Sequence, residues 1–292
     1  MTAAVPPSTP QDPAAPGSVP AAARRGSGGA AAPVRAVILD FYGTLVRMVP
    51  PLPPTHASVF HRLGLGRYAE RWGDQWSTGP GDGEEHGAHS VSGTAYRAWE
   101  VDRLRRRALD RGVPAERAAD LARELDRATK SLRLDRFADV PQALARLRER
   151  GLTVALCSNW FWDLDRAVAE TGLAHLVDTA VTSARAGARK PHPRIYRAAL
   201  DACGTAPGEA LFVGDMWEAD VLGPLAQGIR AAHLHRPDRA VDGPAPPLPG
   251  GAHRISSLAE LPELLDRLDG AGPHDRPGPI SPSGPAGPPG PP

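Results

Sequence analysis

The apolar positions of this chain fall into two kinds of run. Short continuous ones end in acids, glycines or small polar residues: Val34 to Asp40, Leu152 to Cys157, Val177 to Thr182, Ala210 to Val213 and Arg230 to Leu234. Unbroken apolar runs of this length read as strands buried on both faces, as in a parallel sheet. Between them lie segments with apolar residues at helical spacing. Pro141 to Arg150 has a proline in its first turn, Leu144 and Leu147 on one face and Gly151 as its stop; Pro193 to Cys203 repeats that grammar before Gly204. Leu258 to Leu268 supplies a last helix, and Pro224 shortens or kinks the helix after the fourth strand. Strands alternating with helices of this size specify an α/β fold with a doubly wound parallel sheet, its series closed by Arg230–Leu234.

Residues 47–139 break the alternation. They show helix patterns and no strand: about Ser92 to Arg111, then Pro114 to Lys130 with Ala118, Leu121, Ala122 and Leu125 along one face. A smaller all-α domain inserted after the first strand is the expectation, with the Gly- and His-rich stretch Ser77–Ser90 as a loop within it. The sheet domain then comprises 34–46 and 140–269. The ends, 1–33 and 270–292, hold many of the 33 prolines and 31 glycines and bury too little apolar surface to fold.

Charge and composition remove several functions. A formal charge of +1 gives no global electrostatic case for nucleic acid or an anionic membrane surface. No apolar run approaches the ~20 residues that span a bilayer. Arg24-Arg25 is followed by Gly26-Ser27-Gly28-Gly29 where a twin-arginine signal needs an apolar segment. The expectation is a cytoplasmic protein with a small-molecule substrate, no nucleic-acid or membrane partner, and an oligomeric state the sequence leaves open. Cys157 and Cys203 are too few for a disulfide scaffold or a four-cysteine zinc site, and their apolar or helical surroundings read as buried reduced thiols. Of 34 basic residues only Lys130 and Lys190 are lysines, so each lysine is an uncommon choice in this chain.

In an open parallel sheet, ligands bind beyond the carboxyl ends of the strands where the winding reverses. Asp40, Ser158-Asn159 and Asp215 all fall at such ends. With the first strand between the second and the fourth, the three converge on one crevice.

Four segments, Asp40-Phe41-Tyr42-Gly43-Thr44-Leu45, Ser158-Asn159, Lys190-Pro191 and Gly214-Asp215-Met216-Trp217-Glu218-Ala219-Asp220, resemble the ordered motifs of the haloacid dehalogenase-like (HAD) hydrolase superfamily. The resemblance covers about 35–236, and the helical insertion sits where that family carries a helical cap. In Lys190-Pro191-His192-Pro193-Arg194-Ile195-Tyr196 it extends to the sugar- and nucleotide-phosphatase-like subgroups. It implies a Rossmann-like core and Mg²⁺-dependent hydrolysis of a small phosphorylated substrate. Asp40 would be the nucleophile and form an aspartyl-phosphate; as a carboxylate it needs no base. Asp215 would hold Mg²⁺ together with Asp40 and the main-chain carbonyl of Tyr42, with Asp220 acting through a metal-bound water. Asp220 has an alternative as a helix N-terminal acid, and Glu218 competes with it. Ser158 and Asn159 would donate to the phosphoryl oxygens, and Lys190 would neutralise Asp40 and the developing charge. Thr44 either binds phosphate or stabilises the turn.

One position departs from the family's phosphatases, which carry a second aspartate two residues after the nucleophile. Tyr42 stands there instead, and loss of that acid–base group typically costs ~10²–10⁴ in rate. Three readings follow. A phosphatase would favour good leaving groups or recruit His56, His61 or His192 as a base. A tyrosine there also resembles the 2-haloacid dehalogenase branch, where leaving halide needs no proton. A third reading is a catalytically impaired protein that binds a phosphorylated ligand. Dehalogenases resembling that branch tend to carry Ser-Ser-Asn where this chain has Val213-Gly214-Asp215, and Asp215 with Asp220 is an acidic pair suited to a divalent cation, which carbon–halogen substitution does not need, so phosphoryl chemistry is the expectation. Arg47 and the cluster Arg103–Arg107 are candidates for an anionic substrate, the cluster reading first as a solvated helix face.

Overall fold

A computed structural model describes residues 32–73, 78–237 and 246–270. The two tails, apart from residues 32, 33 and 270, and the Arg24-Arg25 pair lie outside the described residues.

Alternation along each apolar run assigns its side chains to opposite faces of one sheet. In β1 (Ala36–Leu39), Val37 and Leu39 pack into one cluster and Ile38 into another on the opposite face. The same split separates Val154 and Leu156 from Ala155 and Cys157 in β4 (Thr153–Ser158), and Leu211 and Val213 from Ala210 and Phe212 in β6 (Ala210–Gly214). Both faces are covered by helices: α5 (Val140–Glu149) contributes Leu144 and Leu147 to one side, and α8 (Pro193–Cys203) contributes Ile195, Tyr196 and Ala199 to the other.

Six strands make a wholly parallel sheet in the order β5-β4-β1-β6-β7-β8, where β5 is Thr179–Thr182, β7 Arg230–Leu234 and β8 Ala252–Ile255. The fold is an α/β, Rossmann-like, doubly wound sheet. β1 lies between β4 and β6, with Leu39 level with Leu156 on one side and Val213 on the other. The chain winds outward from β1 in both directions, so the carboxyl end of β1 is the reversal point. The pattern gives five strands; β8 is a sixth. Its Ala-His-Arg-Ile carries two polar residues and sits at the sheet edge, where continuous apolarity is not required.

The pattern also predicts no strand in 47–139, yet β2 (Val46–Met48) and β3 (Leu134–Arg136) form a small antiparallel pair where the chain leaves and re-enters the sheet layer. Three residues including Arg47 or Asp135 and Arg136 are too few for alternation to register. Between them lie α1 (His56–Arg62), α2 (Ala69–Trp72), α3 (Gly93–Asp110) and α4 (Ala115–Lys130). All four α4 residues named by spacing, Ala118, Leu121, Ala122 and Leu125, are buried in a separate apolar cluster with Val59, Phe60 and Trp72. Among the described residues, no helix is long and apolar enough to cross a membrane. After β6 the chain makes a π-helical turn (Trp217–Leu222), followed by a helix of only Gly223–Leu225 with Pro224 in its first turn. Cys157 is buried and Cys203 half-buried, both free thiols whose pKa burial pushes up, to about 12 and about 11.

One polar anchor ties three returns of the chain together. Arg236, just after β7, donates from both terminal nitrogens to the two oxygens of Asp139 at 3.1 Å, lies 4.0 Å from the Phe137 ring centroid, and donates to the Thr44 carbonyl at 2.9 Å. Ser257 Oγ and the Leu258 amide add bonds to Asp139 at 2.7 and 2.9 Å. Burial opposes ionisation of Asp139, but donation from Arg236, Ser257 and Leu258 outweighs it and holds its pKa below the usual value. Its contribution is therefore fully present above the ordinary carboxylate range and is lost as pH falls through the depressed pKa. Asp139→Ala strands Arg236 without its counter-ion and is expected to cost ~3 kcal/mol in urea denaturation at neutral pH. The gap between variant and wild type should narrow on acidification; equal midpoints at neutral pH would contradict this role.

Candidate active site

Asp40 is the first residue past β1 and is buried at the reversal point. Its Oδ1 accepts from Ser158 Oγ at 2.9 Å and from Lys190 Nζ at 2.8 Å. Lys190 Nζ also donates to Asp220 Oδ1 at 2.6 Å, and Asp220 Oδ2 accepts the Met216 amide at 2.9 Å. The π-helical turn makes this closure possible by folding Asp220 back over Met216. Gly214 is required beneath it, because a Cβ there would lie 2.3 Å from Asp220 Cγ.

Lys190 is positioned from its backbone outward. Its amide donates to Asn159 Oδ1 at 2.7 Å, and Asn159 Nδ2 donates back to its carbonyl at 3.1 Å. The loop at 81–87 is laid against the same segment: Gly83 N–H reaches the Lys190 carbonyl, Arg189 N–H the Glu84 carbonyl, and His86 N–H the Gly187 carbonyl. Gly187, at φ 77°, comes so close to Gly87 that a Cβ would sit 2.6 Å from its Cα. Asp215 follows β6; its Oδ1 accepts from Thr44 Oγ1 at 3.2 Å, and His233 Nε2 lies 3.2 Å from its carbonyl.

Electrostatically, the site is a lysine among carboxylates. Oxygens of Asp40, Asp215 and Asp220 come within 4.8 Å of one another. Burial alone would pull the Lys190 pKa down, but Asp220 and Asp40 hold it well above the ordinary lysine range, so the group is an ammonium. Burial is also the largest influence on Asp220 and pushes its carboxyl up to about 7, against Lys190. One ammonium against three carboxylates leaves an excess of negative charge, and hard oxygens at this spacing suit a small divalent cation.

Asp40, Ser158, Lys190, Asp215 and Asp220 thus meet, but several contacts differ from expectation. Thr44 reaches Asp215, and Asn159 clamps the Lys190 backbone; both hold site residues in place, and sequence alone does not reveal which way such side chains turn. Both Asp220 oxygens are engaged by Lys190 and Met216, whereas Glu218, weighed as its competitor, is exposed. The Tyr42 ring lies beside Trp160, centroids 6.5 Å apart at 28°. Of the candidate bases, His56 is a buried residue of the helical layer bonded to Thr129 and Trp72, His61 is exposed, and His192 caps α8. Arg47 is exposed. In the arginine cluster, Arg105 and Arg106 pair with Asp102 on the surface, Arg107 reaches the Trp72 carbonyl, and Arg103 turns inward.

Spacing gave no warning of a cavity of about 430 Å³ between the sheet's loops and the inserted helices. It is walled by Trp160 and Phe161 on the sheet side and by Glu100, Asp126 and Lys130 on the helix side. The rarity of lysine was the one signal pointing at Lys130.

A family model for haloacid dehalogenase-like hydrolases matches residues 34–228. A phosphoserine phosphatase of Thermus thermophilus is 38% identical over 148 residues, covering 50% of this chain and 59% of that enzyme. An (S)-2-haloacid dehalogenase of a Pseudomonas species is 28% identical over 242 residues, covering 81% of this chain and 98% of the relative. In three dimensions, a HAD phosphatase of Thermococcus onnurineus superposes with a TM-score of 0.54 at 21% identity, over 80% of this chain and 98% of that one, a likeness of fold.

The packing of Asp220 on Gly214 is directly testable. Gly214→Ala forces apart a buried charged pair and is expected to destabilise by ~1–3 kcal/mol, read by thermal denaturation. Gly208→Ala, where a Cβ meets nothing within 4 Å, is the control; an equal shift at both positions would contradict the packing described.

Proposed function

The chain belongs to the haloacid dehalogenase-like hydrolase family, and within it we propose a Mg²⁺-dependent hydrolase of small phosphate monoesters that works through an aspartyl-phosphate on Asp40. The observation that carries this reading is the cluster of Asp40, Asp215 and Asp220, whose oxygens lie within 4.8 Å of one another, with the Lys190 ammonium paired to Asp40 and Asp220. Its donor set and surplus negative charge fit Mg²⁺. Asp40 and Asp215, with the Tyr42 carbonyl, would hold the ion. When bound, the cation offsets the repulsion between an anionic nucleophile and an anionic phosphate. Asp220, with both oxygens engaged, serves chiefly to orient Lys190 and reaches the ion only through water.

The remaining chemistry belongs to the chain. A carboxylate nucleophile such as Asp40 needs no activating base. With Oδ1 fixed by Ser158 and Lys190, Oδ2 is the oxygen that attacks phosphorus. A bond forms from Asp40 to phosphorus as the bond to the leaving oxygen breaks. Water then attacks the phosphorus of the aspartyl-phosphate, releasing inorganic phosphate and restoring the carboxylate. The Lys190 ammonium and Ser158 hydroxyl stand where negative charge builds on the phosphoryl oxygens. Tyr42 supplies no second carboxylate, so the acid–base group that would protonate the leaving oxygen is missing there. Esters whose leaving group departs without a proton are therefore preferred.

Tyr42 also favours a second reading, displacement of halide from a 2-haloacid. The carboxylate cluster weighs against it, because attack at carbon calls for no divalent cation.

Both readings are tested with one preparation. Phosphate release from an aryl phosphate should require Mg²⁺, stop with EDTA, and fall at least ~10³-fold in Asp40→Asn. Halide release from 2-haloalkanoates without metal, and no phosphate release, would overturn the proposal; tight phosphate-ester binding without turnover would leave a binding protein.

A further inference from the structure

The cavity beside the cluster has its own chemistry. Each site segment has a member or chain neighbour in its wall: Tyr42 from the Asp40 turn, Asn159 beside Ser158, Arg189 beside Lys190 and Met216 beside Asp215. A leaving group on phosphorus at Asp40 therefore projects into this space, and a volume of about 430 Å³ holds a small organic molecule.

Resting on the phosphatase reading, we infer that this leaving group is an aromatic ring, making the substrate class aryl phosphomonoesters. Two observations lead there. The first is the wall. Tyr42 and Trp160 lie at 28° to one another with centroids 6.5 Å apart, and Phe161 stands 5.5 Å from Trp160 at 56°, so three aromatic rings line one side of the cavity. The charged groups facing it are paired, Lys130 to Glu100 at 2.7 Å, Arg103 to Glu84 at 2.6 Å and Arg189 to Asp82 at 3.1 Å, although Arg189 Nε has no partner among the described residues. A sugar or polyol would have to bury hydroxyls against these rings, a penalty for each one left unpaired. A planar ring gains aromatic contacts there beyond its burial.

The second observation is the absent acid. With Tyr42 in place of a carboxylate, an alkoxide would have to leave unprotonated. A phenoxide, whose conjugate acid has a pKa of ~10, leaves far more readily. The wall selects for the ring and the missing proton donor selects for its oxygen.

The test uses the full chain with Mg²⁺ and three substrates that separate the two demands: 1-naphthyl phosphate, acetyl phosphate (a good leaving group without a ring) and benzyl phosphate (a ring on an alkoxide). Naphthyl phosphate should show a KM at least tenfold below that of acetyl phosphate, and benzyl phosphate a kcat at least a hundredfold below that of naphthyl phosphate. Phenylphosphonate should inhibit acetyl phosphate turnover at least tenfold more tightly than methylphosphonate, a comparison that needs no variant. Trp160→Ala, with Phe161→Leu as the milder change, should raise KM for naphthyl phosphate several-fold more than for acetyl phosphate. Turnover of acetyl phosphate with equal KM values, equal phosphonate inhibition and equal responses to the variants would overturn the aromatic assignment and leave the phosphatase reading standing. Absence of phosphate release from all three would overturn both.

Discussion

The buried ammonium of Lys190 is the constraint on which the site depends. A lysine almost wholly removed from water pays a large desolvation cost, and here Asp40 and Asp220 offset it at 2.8 and 2.6 Å. Those two carboxylates come from opposite ends of the site, one from the tip of β1 and one from the π-helical turn after β6. Lys190 itself stands on a third loop, held there by Asn159 from the end of β4. Through its ammonium and its backbone, Lys190 therefore ties together the residues that follow β1, β4 and β6.

That arrangement follows from the sheet. Apolar residues on both faces of β1 force it to the middle of the layer, and placing it between β4 and β6 makes its carboxyl end the point where the winding reverses. The crevice is a consequence of topology, and the polar residues at strand ends fill it. The inserted helices do not stand apart from this machinery. Their loop at 81–87 is bonded along the 187–190 segment, so the roof of the cavity and the backbone of Lys190 are one connected piece.

Much of this was readable from residue order. Asp40, Ser158 and Asp215 stand out because each ends an apolar run, a signal that depends only on the period of the chain. The three short strands Val46–Met48, Leu134–Arg136 and Ala252–Ile255 escaped because edge or two-stranded pairing tolerates charged residues and leaves no period to detect. The roles of Thr44 and Asn159 escaped for another reason: type and spacing name a hydrogen-bonding group without its direction. The cavity was hidden because its walls come from segments as distant as Tyr42, Lys130 and Trp160, each an ordinary helical or loop residue by itself.

The central claim is covalent: the phosphoryl group passes through Asp40. Acid quenching of the enzyme during turnover of an aryl phosphate, followed by proteolysis and mass spectrometry, addresses it directly. The account predicts a phosphoryl adduct on the peptide containing Asp40 that disappears when Mg²⁺ is withheld. Steady turnover with no adduct, or with an adduct on a different peptide, would contradict it.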